Sequence, residues 1–150
     1  MFQRVLVALI LSAGAGWPAA LTVDSKDAKP GETVTVAVHL ASDGVALTGF
    51  QADVEFDGRA MEVTGAAGER AAQSGKQFAG RLLEMGRYRM LLIGLNRNRI
   101  ADGEVVVLTV KVGAAAGGEY SLRLSRLTGT DGDGNPVTLN ATAGKLTVRP

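Results

Sequence analysis

Two segments of the chain alternate between apolar and polar side chains. Residues 33–40 read Thr-Val-Thr-Val-Ala-Val-His-Leu, and residues 49–56 read Gly-Phe-Gln-Ala-Asp-Val-Glu-Phe. Because successive side chains of a β-strand point to opposite faces, a period of two places the apolar residues of each segment on one side. Sheets with one dry and one wet face are typically antiparallel. The alternation therefore predicts antiparallel sheets that bury their apolar faces against each other.

Turn signals divide the rest of the chain into further short strands. Pro-Gly at 30–31, Asp-Gly at 57–58 and 102–103, and Asp-Gly-Asp-Gly-Asn at 131–135 favour turns, because Pro fixes φ and Gly accepts a positive φ. Residues 66–76 could form a short helix, which their glycines weaken. The remaining segments predict nine strands, at residues 21–25, 32–40, 48–56, 60–64, 77–84, 87–95, 104–112, 119–128 and 143–149. Strands of this number and spacing predict an all-β fold, an antiparallel β-sandwich or jelly roll.

The predicted strand at residues 87–95 differs from the others because both of its faces are apolar from Met90 onward. It is either a central strand covered on both sides or a strand whose parity shifts at a bulge. A third interpretation is that Leu91, Ile93 and Leu95 form an outward apolar stripe on which another protein docks. The sequence alone leaves these three interpretations open.

The first twenty residues have the layout of a secretory signal peptide. A short start containing Arg4 precedes the apolar run 5–11, and small residues with a helix-breaking Pro follow. The run is about half of the ~20 residues that a membrane-spanning helix needs. We predict a signal peptide at 1–20, cleaved near Ala20 or after Ala13-Gly14-Ala15. The remaining residues 21–150 form one domain without a membrane span, and the mature product is secreted or periplasmic.

The composition argues against several classes of function. Sixteen Lys and Arg against fifteen Asp and Glu give a net charge of +1, which is too small to favour nucleic-acid binding by electrostatic attraction. The chain has no cysteine, and His39, its single histidine, has no glycine-framed serine to activate. We therefore predict no catalytic residues, no cofactor and no metal ligand, and infer that the protein is not an enzyme.

Two acidic features have a second interpretation. Asp53 and Glu55 lie two apart on one strand, as a glycosidase pair could, but a wet strand face explains both carboxylates. The segment 131–136 has oxygen side chains at alternating positions, yet Pro136 stands where a calcium-binding EF-hand loop needs glycine. We interpret it as a hairpin turn, with weak calcium binding as the minor alternative.

The order of these motifs resembles the cohesin domain over about residues 21–149. The best-matching piece is Ile100–Val112, an Asp-Gly turn leading into a long apolar strand. Residues 29–38 resemble the family's Pro-Gly turn and second strand, and 47–57 its third strand, which ends in an aromatic residue and Asp. The resemblance implies a nine-stranded jelly roll, a fold group that also includes carbohydrate-binding modules.

The resemblance also implies a function and a surface. Cohesins are non-catalytic modules that bind a dockerin, typically in assemblies for polysaccharide breakdown, so a dockerin-like protein partner is expected. Carbohydrate binding on the same fold is the alternative. By resemblance, the partner-binding sheet comprises strands 48–56, 77–84, 87–95 and 119–128. Their outward residues by parity are Gln51, Asp53, Glu55, Arg87, Arg89, Leu91, Glu119, Ser121 and Arg123.

Overall fold

The fold is known from a computed structural model, which describes residues 19–150; most of the predicted signal peptide lies outside them. These residues form two packed sheets and one short helix. The strands are β1 (Ala19–Val23), β2 (Lys26–Ala28), β3 (Thr33–Ala41), β4 (Gly49–Glu55), β5 (Met61–Ala67), β6 (Gln77–Glu84), β7 (Arg87–Ile93), β8 (Gly103–Val112), β9 (Gly118–Thr130), β10 (Pro136–Val137), β11 (Leu139–Thr142) and β12 (Gly144–Val148), with helix α1 at Glu69–Gln73.

The strands divide into a five-stranded and a seven-stranded sheet. The first has the order β11-β1-β3-β8-β5, and the second has the order β2-β12-β9-β4-β7-β6, with β10 also paired to β9. Most pairs are antiparallel, but β1–β11 and β12–β2 are parallel, so both sheets are mixed. The predicted all-β sandwich is confirmed. Three strands of two to four residues, β2, β10 and β11, add to the nine predicted.

The core lies between the two sheets and follows the alternation in the sequence. Val36, Val38 and Leu40 of β3 are buried, and so are Phe50 and Val54 of β4. Full burial of side chains of this kind contributes roughly 1.5–3 kcal/mol each. The inward side chains fix the register, since a slip by one residue would turn them all toward water. The same parity turns the intervening residues of β4 outward.

Strand β7 is an interior strand of the seven-stranded sheet, between β4 and the edge strand β6. Its register with β4 is regular from Phe50↔Leu92 to Glu55↔Arg87, so β7 contains no bulge against that strand. On its outer side Leu91 is half-buried, and Ile93 is 51% exposed. Of the three interpretations of the two-sided apolar pattern, the structure favours the outward stripe.

Helix α1 is shorter than the predicted segment 66–76. Residues 66 and 67 instead belong to β5, where they pair with Val107 and Val106 of β8. The helix therefore begins only at Glu69, and Gly75 follows it with a φ of 75°. Within residues 19–150 no helix is long and apolar enough to cross a bilayer.

The position of β1 yields a prediction about the two candidate cleavage sites. The side chain of Ala19 is completely buried, and its N–H donates to the Thr138 carbonyl at 3.1 Å. A chain that starts at Gly16 should be more stable than one that starts at Leu21, by roughly 1–3 kcal/mol, because the shorter chain loses this burial and backbone pairing. Urea unfolding of both chains measures the difference, and equal midpoints would contradict the expectation. Only cleavage after Ala15 leaves β1 intact.

Candidate protein-binding face

Strands β9, β4, β7 and β6 are consecutive neighbours in the seven-stranded sheet. They correspond to the four segments that the resemblance to the cohesin domain implied as a partner-binding sheet. We call the outer side of these four strands the binding face. The register places Gln51 beside Leu91, Asp53 beside Arg89, and Glu55 beside Arg87.

Two predicted site residues lie apart from this group. Strand β4 ends at Glu55, which pairs with Arg123 of β9. Within residues 19–150, earlier residues of β9 therefore pair with β12 alone: Ser121 pairs with Lys145, and Glu119 with Thr147. The Glu119 carboxylate also lies 3.7 Å from the ammonium of Lys145. Glu119 and Ser121 belong to the same sheet but not to the cluster around β4 and β7.

Asp53 is the centre of the polar half of the face. Its side chain is 0% exposed, although parity predicted an outward residue on a wet face. The Arg89 Nε donates to Oδ1 at 2.8 Å and its Nη2 to Oδ2 at 3.1 Å, while the Arg87 Nη1 donates to Oδ2 at 3.1 Å. These guanidinium groups cover the carboxylate. The wet face predicted at this position is wrong for Asp53, because parity fixes direction but not what neighbouring side chains cover.

The same contacts set the ionisation of the network. The hydrogen bond from Arg89 lowers the pKa of Asp53; burial opposes this, and the bond from Arg87 adds to it. In return, the bond to Asp53 raises the pKa of Arg89. Because two guanidiniums hold one carboxylate, the group stays charged and fixed in place.

Glu55 extends this network toward β9. The Ser125 hydroxyl lowers the pKa of Glu55; burial opposes it, and the guanidiniums of Arg123 and Arg87 add to the lowering. Arg123 donates to Oε1 of Glu55, and Nη2 of Arg87 lies 3.6 Å from Oε2. The carboxylates therefore lie beneath, and the guanidiniums form much of the outer surface.

Arg126 and Arg81 complete the cationic half of the face, and the sequence analysis predicted neither as a site residue. Arg126 has a φ of 51° where the β4–β9 register shifts, and its Nε lies 3.9 Å from Asp53. A bulge of this kind has no clear sequence signal. Arg81 is exposed on β6 directly opposite Arg89, and parity applied to β6 would have found it.

The apolar half of the face lies toward the end of β7. Leu91 is followed by the half-exposed Ile93 and by Leu95, which is fully exposed just beyond the strand. Ala79 of β6 pairs with Leu91 and widens this surface. We keep the name apolar stripe for Leu91, Ile93 and Leu95.

A buried lysine holds the loop that carries Leu95. The Lys76 ammonium donates to Oδ1 of Asn96 at 2.7 Å and to its carbonyl at 3.3 Å, and burial lowers the pKa of Lys76. The amide groups of Asn96 and Asn98 both donate to the Ser74 carbonyl. These bonds fix the loop after β7, so that Leu95 projects from a braced position rather than from a free tip.

The acidic loop at 131–135 is a self-contained turn. The Asp131 carboxylate accepts the backbone N–H groups of Asp133 and Asn135 at 2.9 Å, and the bond from Asn135 lowers the pKa of Asp131 most. Arg97 closes the loop by donating to Asp133 and to the Gly132 carbonyl. In the part of the chain that the structure describes, no three His, Cys, Asp or Glu side chains are grouped as a metal site requires.

The face lies on a recognisable family fold. The family model of the cohesin domain matches residues 19–148. The chain belongs to the cohesin domain family. The sequence resemblance to that family is thereby confirmed. No curated protein sequence matches this cohesin closely enough to serve as a relative.

Solved cohesin structures share the fold. The sixth cohesin of scaffoldin B from Acetivibrio cellulolyticus, in complex with a Cel5 dockerin, has a TM-score of 0.76 at 20% identity, covering 89% of this chain and 100% of that one. A non-cellulosomal cohesin from the archaeon Archaeoglobus fulgidus has a TM-score of 0.76 at 16% identity, covering 89% of this chain and 93% of that one. The structure of the Coh-OlpA–Doc918 complex from Clostridium thermocellum has a TM-score of 0.74 at 18% identity, covering 89% of this chain and 100% of that one.

The Asp53 network predicts a specific pH dependence of stability. The folded-state pKa of Asp53 lies below its ordinary value of 3.8, so its contribution is complete above about pH 4 and is lost as the pH falls through the lower folded-state value. Asp53→Asn should lower the free energy of unfolding at neutral pH by roughly 1–3 kcal/mol, because charged hydrogen bonds are lost. The difference in free energy of unfolding between this variant and the unmodified protein should become smaller in acid.

Urea unfolding of both proteins between about pH 7 and pH 2 measures this difference, and a difference independent of pH would contradict the account. Glu62→Gln is the matched control, since Glu62 is an exposed carboxylate on β5 of the opposite sheet. It should change the free energy of unfolding by less than about 0.5 kcal/mol at any pH.

Proposed function

We propose that this cohesin is a non-catalytic, exported module that binds a dockerin-like protein through the binding face. The observation that carries the proposal is the composition of that face: an aliphatic stripe beside a fixed, charge-paired cluster. Transient protein interfaces combine apolar anchors with a satisfied polar rim in this way. The cohesins of scaffoldin B and OlpA, which share the fold, are known in complexes with dockerins.

The proposed setting is extracytoplasmic. The layout of residues 1–20 supports export as a signal peptide, in which case the mature module acts in the periplasm or outside the cell. There it would attach a dockerin-bearing protein, either for polysaccharide degradation or for assembly at the cell surface. The Archaeoglobus fulgidus cohesin is described as non-cellulosomal, so cohesins also occur outside cellulosomes.

Binding to isolated dockerin modules tests the proposal. A panel that includes the Cel5 dockerin and Doc918 is titrated against the immobilised cohesin by biolayer interferometry. Ile93→Ser should weaken binding of the best dockerin by about tenfold or more, since loss of a central apolar anchor commonly costs over 1 kcal/mol. Leu91→Ser should have a similar effect.

The control for this prediction is Leu82→Ser. Leu82 is 58% exposed but lines a groove between the edges of β5 and β6 rather than the outer face. Leu82→Ser removes an apolar area similar to that of Ile93→Ser, but from outside the binding face. The affinity for the dockerin should therefore stay within about twofold of that of the unmodified protein. Binding of no dockerin in the panel, or equal losses from Leu82→Ser and Ile93→Ser, would contradict the proposal.

Polysaccharide binding on the same fold is the alternative outcome. Affinity electrophoresis on soluble glucans, xylans and mannans measures it directly. Retardation that Ile93→Ser abolishes would assign the face to glycans instead of proteins. Within residues 19–150 no aromatic residue is exposed. Tyr88 is buried and Tyr120 is half-buried, and their hydroxyls are hydrogen-bonded to backbone groups. The surface therefore offers a protein more apolar contact than it offers a sugar ring.

A further inference from the structure

We propose that Arg81 and Arg89 form a carboxylate-binding site on the binding face, filled by an Asp or Glu side chain of the protein partner. The inference rests on the proposed function and specifies the chemistry of the partner. It begins from the cross-strand register, in which Arg81 of β6 lies directly opposite Arg89 of β7. Like charges in this position repel each other, so an anion placed between them is favourable.

The carboxylates of this chain do not remove that repulsion. Asp53 lies on the other side of Arg89 and also contacts Arg87 and Arg126, so its single charge is already shared by three guanidiniums. Among the described residues, Arg81 forms no ion pair with a carboxylate. Glu84, the one carboxylate of β6, lies 3.5 Å from Arg87 and pairs with that residue rather than with Arg81. The Arg81–Arg89 pair therefore carries excess positive charge.

Arg89 has hydrogen-bonding capacity left for a partner. Its Nε and Nη2 bind Asp53, whereas its Nη1 makes no hydrogen bond within residues 19–150. The side chain is 35% exposed. Asp53 holds the guanidinium plane in a fixed orientation, so a second carboxylate meets donors that are already ordered, which reduces the entropic cost of binding.

The neighbouring apolar stripe indicates a protein as the source of the carboxylate. Arg89, Leu91 and Ile93 follow each other at two-residue steps along the outer side of β7. Each step is about 6.6–6.8 Å along a strand, close to the ~6 Å that four residues advance along an α-helix. The geometry suits a partner helix with a carboxylate residue at one position and apolar residues four and eight positions along.

Designed helical peptides test this chemistry directly. The first carries Glu, Leu and Leu at successive four-residue intervals, and the second replaces that Glu with Gln. Each is titrated into the isotope-labelled cohesin while the arginine Nε–Hε and backbone signals are followed by NMR. The Glu peptide should shift the Nε signals of Arg81 and Arg89 and bind about tenfold more tightly than the Gln peptide, as a charge-assisted pair predicts.

Variants of the cohesin locate the effect. Arg81→Gln should reduce the preference for the Glu peptide to about twofold or less, and Arg81 is exposed at a sheet edge, so the fold should be retained. Lys111→Gln removes one positive charge from the opposite sheet and should leave the preference unchanged. Equal affinities for the two peptides, or a preference that Arg81→Gln does not reduce, would overturn the site.

Two further arms separate this inference from the proposed function. Polygalacturonate, a glycan carboxylate, should bind more weakly than the Glu peptide; tighter binding would overturn the protein assignment. If a dockerin binds through the apolar stripe and Arg81→Gln leaves its affinity unchanged, the inference fails and the proposed function stands. If the Glu peptide binds at Arg81 and Arg89 while no dockerin binds, the carboxylate site stands and the dockerin-like assignment fails.

Discussion

A β-strand has two faces, and the fold of this cohesin depends on how β4 uses both. Its inward residues, Phe50 and Val54 among them, are buried in the core, so Asp53 and Glu55 must point away from it. A carboxylate on a central strand is costly unless it is paired. The neighbouring strand β7 supplies the pairing, because Arg89 lies opposite Asp53 and Arg87 opposite Glu55 in the register. Core packing thus forces the carboxylates outward, and pairing then builds the polar half of the face.

This arrangement connects the stability of the fold with the proposed binding of a partner. The guanidinium of Arg89 lowers the pKa of Asp53 and is itself held in place by it, so its remaining donors have a fixed direction. Lys76 orders the opposite end of the face, because its hydrogen bonds to Asn96 hold the loop that carries Leu95 in place. Both ends are ordered before any partner arrives. A preordered surface loses less side-chain entropy on binding, which is one source of affinity beyond contact area.

The sequence predicted most of the sandwich, because the strands that pack the core are long enough to show a period of two. The segment 33–40 became β3, and its inward valines face the core as predicted: Val36 and Val38 are buried, and Val34 is half-buried. The strands β2 and β10 were missed because two or three residues carry no periodic signal. The parallel pairing of β1 with β11 joins ends of the chain that no local pattern connects.

The polar cluster was less predictable than the strands. Parity identified Asp53 as outward, but its burial depends on guanidinium groups from other strands and on a bulge at Arg126. The separation of Glu119 from the cluster depends on where β4 ends, which a sequence pattern locates only to within a few residues. Direction relative to the core can be derived from one strand, whereas burial and clustering require the pairing of several.

The central claim is that the outer side of β9, β4, β7 and β6 is the surface that binds a protein. Hydrogen–deuterium exchange, measured with and without the dockerin that binds most tightly, tests it most directly. The account predicts slower exchange in β6, in β7 and in the loop that carries Leu95, with β3 and β8 of the five-stranded sheet unchanged. Protection centred on the five-stranded sheet, with β6 and β7 unaffected, would contradict it.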